Sequence, residues 1–155
     1  MNLHGFIWPW STKIMTPTFL SKVPTVQHTQ LVAALSRLFT RAKTFYQHSA
    51  ETAGPGNLRR QFAALAELHQ HILYLFPAPD GLTTDVEVLA ELNHWYSDTL
   101  KQTSLATIQQ QLAKQLQLQK ALIRNCDLRQ HQKTLLHFTA SLQIAADQLA
   151  EIKAC

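Results

Sequence analysis

Five stretches of this chain repeat apolar residues every three or four positions, the spacing that gathers one stripe along an α-helix. The first stripe runs Leu31, Leu35, Leu38, Ala42, Phe45 and Ser49 and predicts a helix of about 26 residues, ended by Gly54-Pro55-Gly56. A second stripe, Leu58, Phe62, Leu65, His69, Ile72 and Phe76, runs up to the turn Pro77-Ala78-Pro79-Asp80-Gly81. So short a break between the two predicts an antiparallel hairpin. A third segment, Thr84 to about Gln102, carries Val86, Leu89, Asn93, Tyr96 and Leu100 on one side. After Thr103-Ser104, where the serine is placed to cap a helix, the fourth stripe reads Leu105, Ile108, Leu112, Leu116, Gln119, Ile123 and Cys126. The fifth follows Asp127 as Leu128, His131, Leu135, Phe138, Leu142, Ala145, Leu149 and Ile152.

The four long helices are each about 20 to 26 residues, roughly 30 to 39 Å, and match in length as members of a bundle do. If the fourth runs parallel to the second, the chain must recross the bundle between them. A third helix of about 19 residues, roughly 28 Å, has that reach. Five helices in plain up-down order are the alternative, because stripes give lengths and not the path of a connection. Residues 1–26 hold three of the six prolines (Pro9, Pro17 and Pro24) and no sustained helical period, which predicts an extended arm. Residues 27–155 then form a single bundle domain, a size able to bury a sizeable core.

Three segments carry a resemblance. Phe45-Tyr46-Gln47-His48-Ser49-Ala50-Glu51, Asn57-Leu58-Arg59-Arg60-Gln61-Phe62-Ala63-Ala64-Leu65-Ala66 and Gln119-Lys120-Ala121-Leu122 are similar to segments of a bacterial ferritin-like family. That family is associated with stress responses and is largely of unknown function; the similarity runs roughly from Leu31 to Ile152. The expected fold is therefore all-α: a ferritin-like four-helix bundle of two antiparallel hairpins, with an extra crossover helix and an extended N-terminal arm. The resemblance implies a di-iron or di-manganese site, built from a Glu on each of two helices and a Glu-x-x-His on each of the other two.

The residues depart from that pattern where the metal would sit. Helix four contains no Asp or Glu, and its inward polar positions are Gln119 and, at the edge of the stripe, Gln115. Neutral amides are far poorer ligands for hard metal ions than carboxylates. Counting about 100° per residue turns Glu67 away from the helix-two stripe and sets Asp147 and Glu151 about 150° or more from that of helix five. Glu51 lies outward near the end of helix one. On helix three, Glu91-Leu92-Asn93-His94 matches Glu-x-x-His, but Glu87, Glu91 and His94 fall about 140° to 160° from the stripe. With five glutamates and eight histidines in the chain, such a pair arises by chance about one time in four. No metal, and no cofactor of any other kind, is expected; Glu67, His69, Glu91 and His94 are the residues that would hold a metal if the faces were misassigned.

Composition narrows the partners. Only 15% of residues are charged, against roughly a quarter in typical chains, so the surface is polar but weakly charged. The net charge is +4, yet the fourteen Lys and Arg are scattered from Lys13 to Lys153 with no run longer than Arg59-Arg60, which disfavours nucleic acid. Gly5, Gly54, Gly56 and Gly81 make no phosphate-binding loop. The cysteines, Cys126 and Cys155, form no CxxC pair or disulfide framework, and a buried inert thiol is expected at Cys126. Pro9, Ser11, Thr12 and Lys13 interrupt any leader, and no apolar run nears the roughly 20 residues of a membrane helix, so a cytoplasmic protein without a membrane partner is expected.

His69 and His131 lie on stripes, where a hydrogen-bonded structural imidazole is the expected reading, with Gln119 as the neutral partner of His69. The arm concentrates Phe6, Trp8 and Trp10, large aromatics of the kind that anchor interfaces, over its own subunit or onto a partner. Tyr74 and Trp95, off the stripes, are expected to be exposed. Together these features predict a non-catalytic ferritin-like module for protein interaction or structure, forming a homodimer. Two other readings stay open: a metal-dependent oxidoreductase or metal-storage protein of the ferritin-like type, and a binder of anionic polymers.

Overall fold

The computed structural model describes residues 24–76, 86–98 and 103–152, the side chains of 24–27 excepted. Every regular element among them is helical: α1 (Pro24–Thr52), α2 (Gly56–Leu75), α3 (Glu87–Ser97), α4 (Leu105–Asn125) and α5 (Gln132–Ala150), with a 3-10 turn at Arg129–His131 before α5. α1 opens on proline, whose fixed φ suits a first helical turn and whose missing N–H costs nothing there. The last three residues of the expected arm, 24–26, therefore belong to α1. Residues 1–23, with Phe6, Trp8 and Trp10, lie outside the described residues.

The breaks are chemically specified. At the α1–α2 turn, Arg59 Nη1 donates to the exposed carbonyl of Gly54 at 2.6 Å, holding the end of one helix from the start of the next. Ser104 caps α4 as its sequence position predicts, accepting from the Thr107 N–H at 3.1 Å. Between α4 and α5, Arg129 adopts φ 54, and the Asp127 carboxylate accepts its N–H at 2.9 Å. His28 Nε2 and Gln132 Oε1 bind the carbonyl and the N–H of Leu128, each at 2.9 Å, and so close the turn against α1.

Side-chain pairs set the directions of the helices. Phe39 meets Phe76 and Tyr46 meets Phe62, so α1 and α2 are antiparallel. His69 meets Phe138 and Phe76 meets His131, which makes α2 and α5 antiparallel. Gln109 bonds the carbonyl of Leu149 while Gln119 bonds Thr139, so α4 and α5 are antiparallel too. It follows that α4 runs parallel to α2. Between α2 and α4 in the sequence stands α3, packed on α1 through Phe45 and Trp95.

α3 is shorter than its stripe predicts. The backbone is extended at Val86 (ψ 129) and leaves the helix at Asp98 (ψ 83), so the described helix has 11 residues and not the expected 19 or so. The Ser97 hydroxyl donates to the carbonyl of His94 at 2.7 Å, a local bond that competes with helix continuation. Leu100, expected on this helix, lies outside the described residues.

The buried stripes coincide with the sequence pattern at Leu35, Leu38, Ala42 and Phe45, at Phe62, Leu65, His69 and Ile72, and at Leu135, Phe138, Leu142 and Leu149. α1 is buried over a wider arc, adding Val32, Ala34, Phe39 and Tyr46, because it packs against α2 on one side and α3 on another. Tyr74 is exposed as expected. Trp95 is not: it is half-buried against Phe45 and Tyr96, since α3 sits close enough to α1 to cover it. No helix among the described residues is long and apolar enough to cross a membrane.

Candidate functional site

Six polar side chains meet at the centre of the bundle, and between them they come from all five helices. Tyr46 of α1 lies 2.9 Å from Tyr96 of α3, oxygen to oxygen. Tyr96 donates to Gln115 Oε1 of α4 at 2.7 Å. Gln115 Nε2 lies 3.0 Å from His69 Nε2 of α2 and 2.8 Å from Gln119 Oε1, one turn along α4. Gln119 Nε2 donates to Thr139 Oγ1 of α5 at 2.8 Å. All six side chains are buried.

Two backbone carbonyls fix every proton in this network, because a carbonyl can only accept. Thr139 Oγ1 is 2.7 Å from the carbonyl of Leu135, so the threonine hydrogen points there and its oxygen must accept from Gln119. That orients the Gln119 amide with its oxygen toward Gln115. Gln115 therefore presents its NH₂ to both Gln119 and His69, and its oxygen to Tyr96. The single Tyr96 hydrogen is thereby used, and Tyr46 must donate to Tyr96. From the other side, His69 Nδ1 is 2.7 Å from the carbonyl of Leu65, so Nδ1 carries the hydrogen and Nε2 is bare. The two anchors give the same answer: a neutral imidazole accepting from Gln115.

The electrostatics agree with that assignment. Burial lowers the His69 pKa to about 4, only partly offset by the Leu65 carbonyl. Among the described residues, the rings around the imidazole are those of Phe39, Tyr46 and Phe138, none of them charged. Burial likewise raises the hydroxyls of Tyr46 and Tyr96 well above their ordinary range, so both stay protonated. The centre is neutral throughout. In such a medium each satisfied bond contributes about 1 kcal/mol, while an orphaned partner costs about 1 to 3 kcal/mol.

The site modifies several sequence expectations. His69 is buried and hydrogen-bonded, but its side-chain partner is Gln115 and not Gln119, which stands one link further away. Gln115, expected at the edge of the stripe, is fully buried, because Tyr96 on α3 and His69 on α2 approach α4 from two sides. His131 is half-buried in the 3-10 turn, beside Phe76 and His28, and not on a regular helical stripe. Burial, and then the neighbouring His28, lower its pKa. The sequence reading gave no role to Tyr46, quoted only within a resemblance segment, or to Thr139; each stands one residue past a stripe position, Phe45 and Phe138. Asn93 is buried as its stripe predicts, but among the described residues neither polar atom of its side chain has a partner.

The donor set does not fit a di-metal centre. It offers one imidazole, already committed at both nitrogens, with two phenols, two amides and one hydroxyl, and no carboxylate. Every Asp and Glu among the described residues is exposed. Glu67, Glu91 and His94 lie on the surface while His69 lies in the core, so the four alternative ligands are not brought together. Among the described residues no group of three or more His, Cys, Asp or Glu is placed to hold a metal ion. Burial pushes the Cys126 thiol up to about 11, the direction of an unreactive thiol. No family model, characterised protein or solved structure matches this chain.

Proposed function

We propose that this chain is a ferritin-like bundle with its two hairpins joined by a crossover helix, its centre closed by neutral hydrogen bonds where metal-binding relatives place carboxylates. In this reading it is a non-catalytic module for protein interaction or structure. The observation that carries it is the Tyr46–Tyr96–Gln115–His69 and Gln119–Thr139 network, which uses its polar atoms internally and leaves the carboxylates of the described helices outside. A protonic or metal-centred reaction needs an open coordination position or a titratable group facing substrate. The only titratable side chains in this network are held neutral and enclosed. The aromatic arm, with Phe6, Trp8 and Trp10, supplies anchors for a partner.

Elemental mass spectrometry tests the reading. Untagged protein expressed with added iron, manganese and zinc, then dialysed, should retain less than a stoichiometric amount of any of them. A stoichiometric metal would overturn it and direct mutation to Glu67, His69, Glu91 and His94.

A further inference from the structure

Among the described helices α5 packs against α2 and α4, and a third side of it is exposed. On that side Leu136 is 50% and Ile144 62% exposed, two large apolar side chains on one face. Ala140 lies midway between them. Lys133, Leu136, Ala140, Ile144 and Asp147 are all exposed and fall within about 40° of one line along the helix.

The order of these residues is its own complement. Leu136 and Ile144 stand four positions on either side of Ala140, and Lys133 and Asp147 seven positions on either side. When two copies of a helix cross antiparallel about a two-fold axis at Ala140, each residue before the centre faces the one equally far after it. Leu136 then meets Ile144 of the second copy, and Lys133 meets Asp147, twice over. Alanine at the crossing allows the axes to approach to about 8 Å, and a shallow crossing of about 20° keeps the charged pairs, about 10 Å from the centre, in reach. A parallel arrangement would set Lys133 against Lys133 and Asp147 against Asp147. Gln143 Nε2 donates to Asp147 Oδ1 at 2.9 Å and steadies the carboxylate at the edge of the stripe.

We propose, resting on the interaction-module reading above, that its partner is a second copy of this chain, bound through an antiparallel two-fold contact of α5 centred on Ala140. A foreign helix or the arm of the same chain would meet apolar residues here but has no need of opposite charges at equal distances from one alanine. A single pair of helices is at the small end of specific interfaces, so the dimer is expected to dissociate in the micromolar range.

Sedimentation velocity of the full chain across a hundredfold concentration range tests the contact. Lys133→Asp and Asp147→Lys should each weaken the dimer by about tenfold or more, since each sets like charges face to face. The combined exchange should restore wild-type affinity. Ile144→Glu should leave a monomer with an unchanged circular dichroism spectrum. All three positions are exposed, so folding is not at stake. A monomer at every concentration, single reversals without effect, or an exchange that restores nothing would overturn the interface. A metal-free monomer would remove this interface and leave the neutral centre standing; a dimer holding stoichiometric metal would do the reverse.

Discussion

Gln115 Nε2 stands 3.0 Å from His69 Nε2, and the proton between them belongs to the glutamine. Because Leu65 takes the other imidazole hydrogen, charging His69 would set two donors face to face. Relief would require the Gln115 amide to turn over, and with it the hydrogen bonds to Tyr96 and Gln119. One protonation therefore disturbs the contacts that join α2, α3 and α4.

Stability should fall in mild acid for this reason. The folded pKa of His69 is about 4 and its ordinary value is 6.5, so between these the unfolded chain binds a proton that the folded chain refuses. Stability is full above pH 6.5 and declines as pH drops toward 4, by about 3 kcal/mol over the window. Chemical denaturation at a series of pH values measures the slope. His69→Gln, which keeps an acceptor for Gln115, should flatten it, and equal slopes in both proteins would be inconsistent with His69 as its source.

Gln115 is the junction, and its loss should be the most disruptive of the polar changes. Gln115→Leu leaves Tyr96, His69 and Gln119 each short of a partner, at a cost of about 3 to 5 kcal/mol. Gln117→Leu, two residues away on the exposed face, should change stability by less than about 0.5 kcal/mol. Urea midpoints of the two variants make the comparison; a similar small loss in both would mean that the network is not holding the helices together.

Much of the fold was legible because burial follows helical period. The seams of α2 and α5 are continuous in the sequence, and Ser104 and Gly54-Pro55-Gly56 mark real boundaries. The site was half legible. His69, Asn93 and Gln119 stand on stripes, but the burial of Gln115 and Tyr46 depends on where α3 crosses, a tertiary fact that no single helix encodes. Trp95 was misplaced for the same reason, being covered by Phe45 of α1. His131 has the right spacing but sits in a turn set by the positive φ of Arg129, to which helical counting is blind.

Asn93 makes the opposite prediction to Gln115. It is 1% exposed, and among the described residues neither its Nδ2 nor its Oδ1 has a partner, so the fold carries the desolvation of an amide without its hydrogen bonds. Asn93→Leu keeps the branched shape and should raise stability by about 1 to 3 kcal/mol. Differential scanning calorimetry reads this directly. A loss of stability would contradict the account of Asn93 as an amide buried without partners.

The nitrogen spectrum of the His69 imidazole tests the neutral centre most directly. Long-range proton–nitrogen correlation, recorded from pH 7 downward with and without added zinc, distinguishes the two tautomers and the charged ring. The network predicts a neutral ring with its hydrogen on Nδ1, no titration until near pH 4, and no response to zinc. A hydrogen on Nε2, a titration near 6.5, or a shift of the ring nitrogens on adding zinc would contradict it.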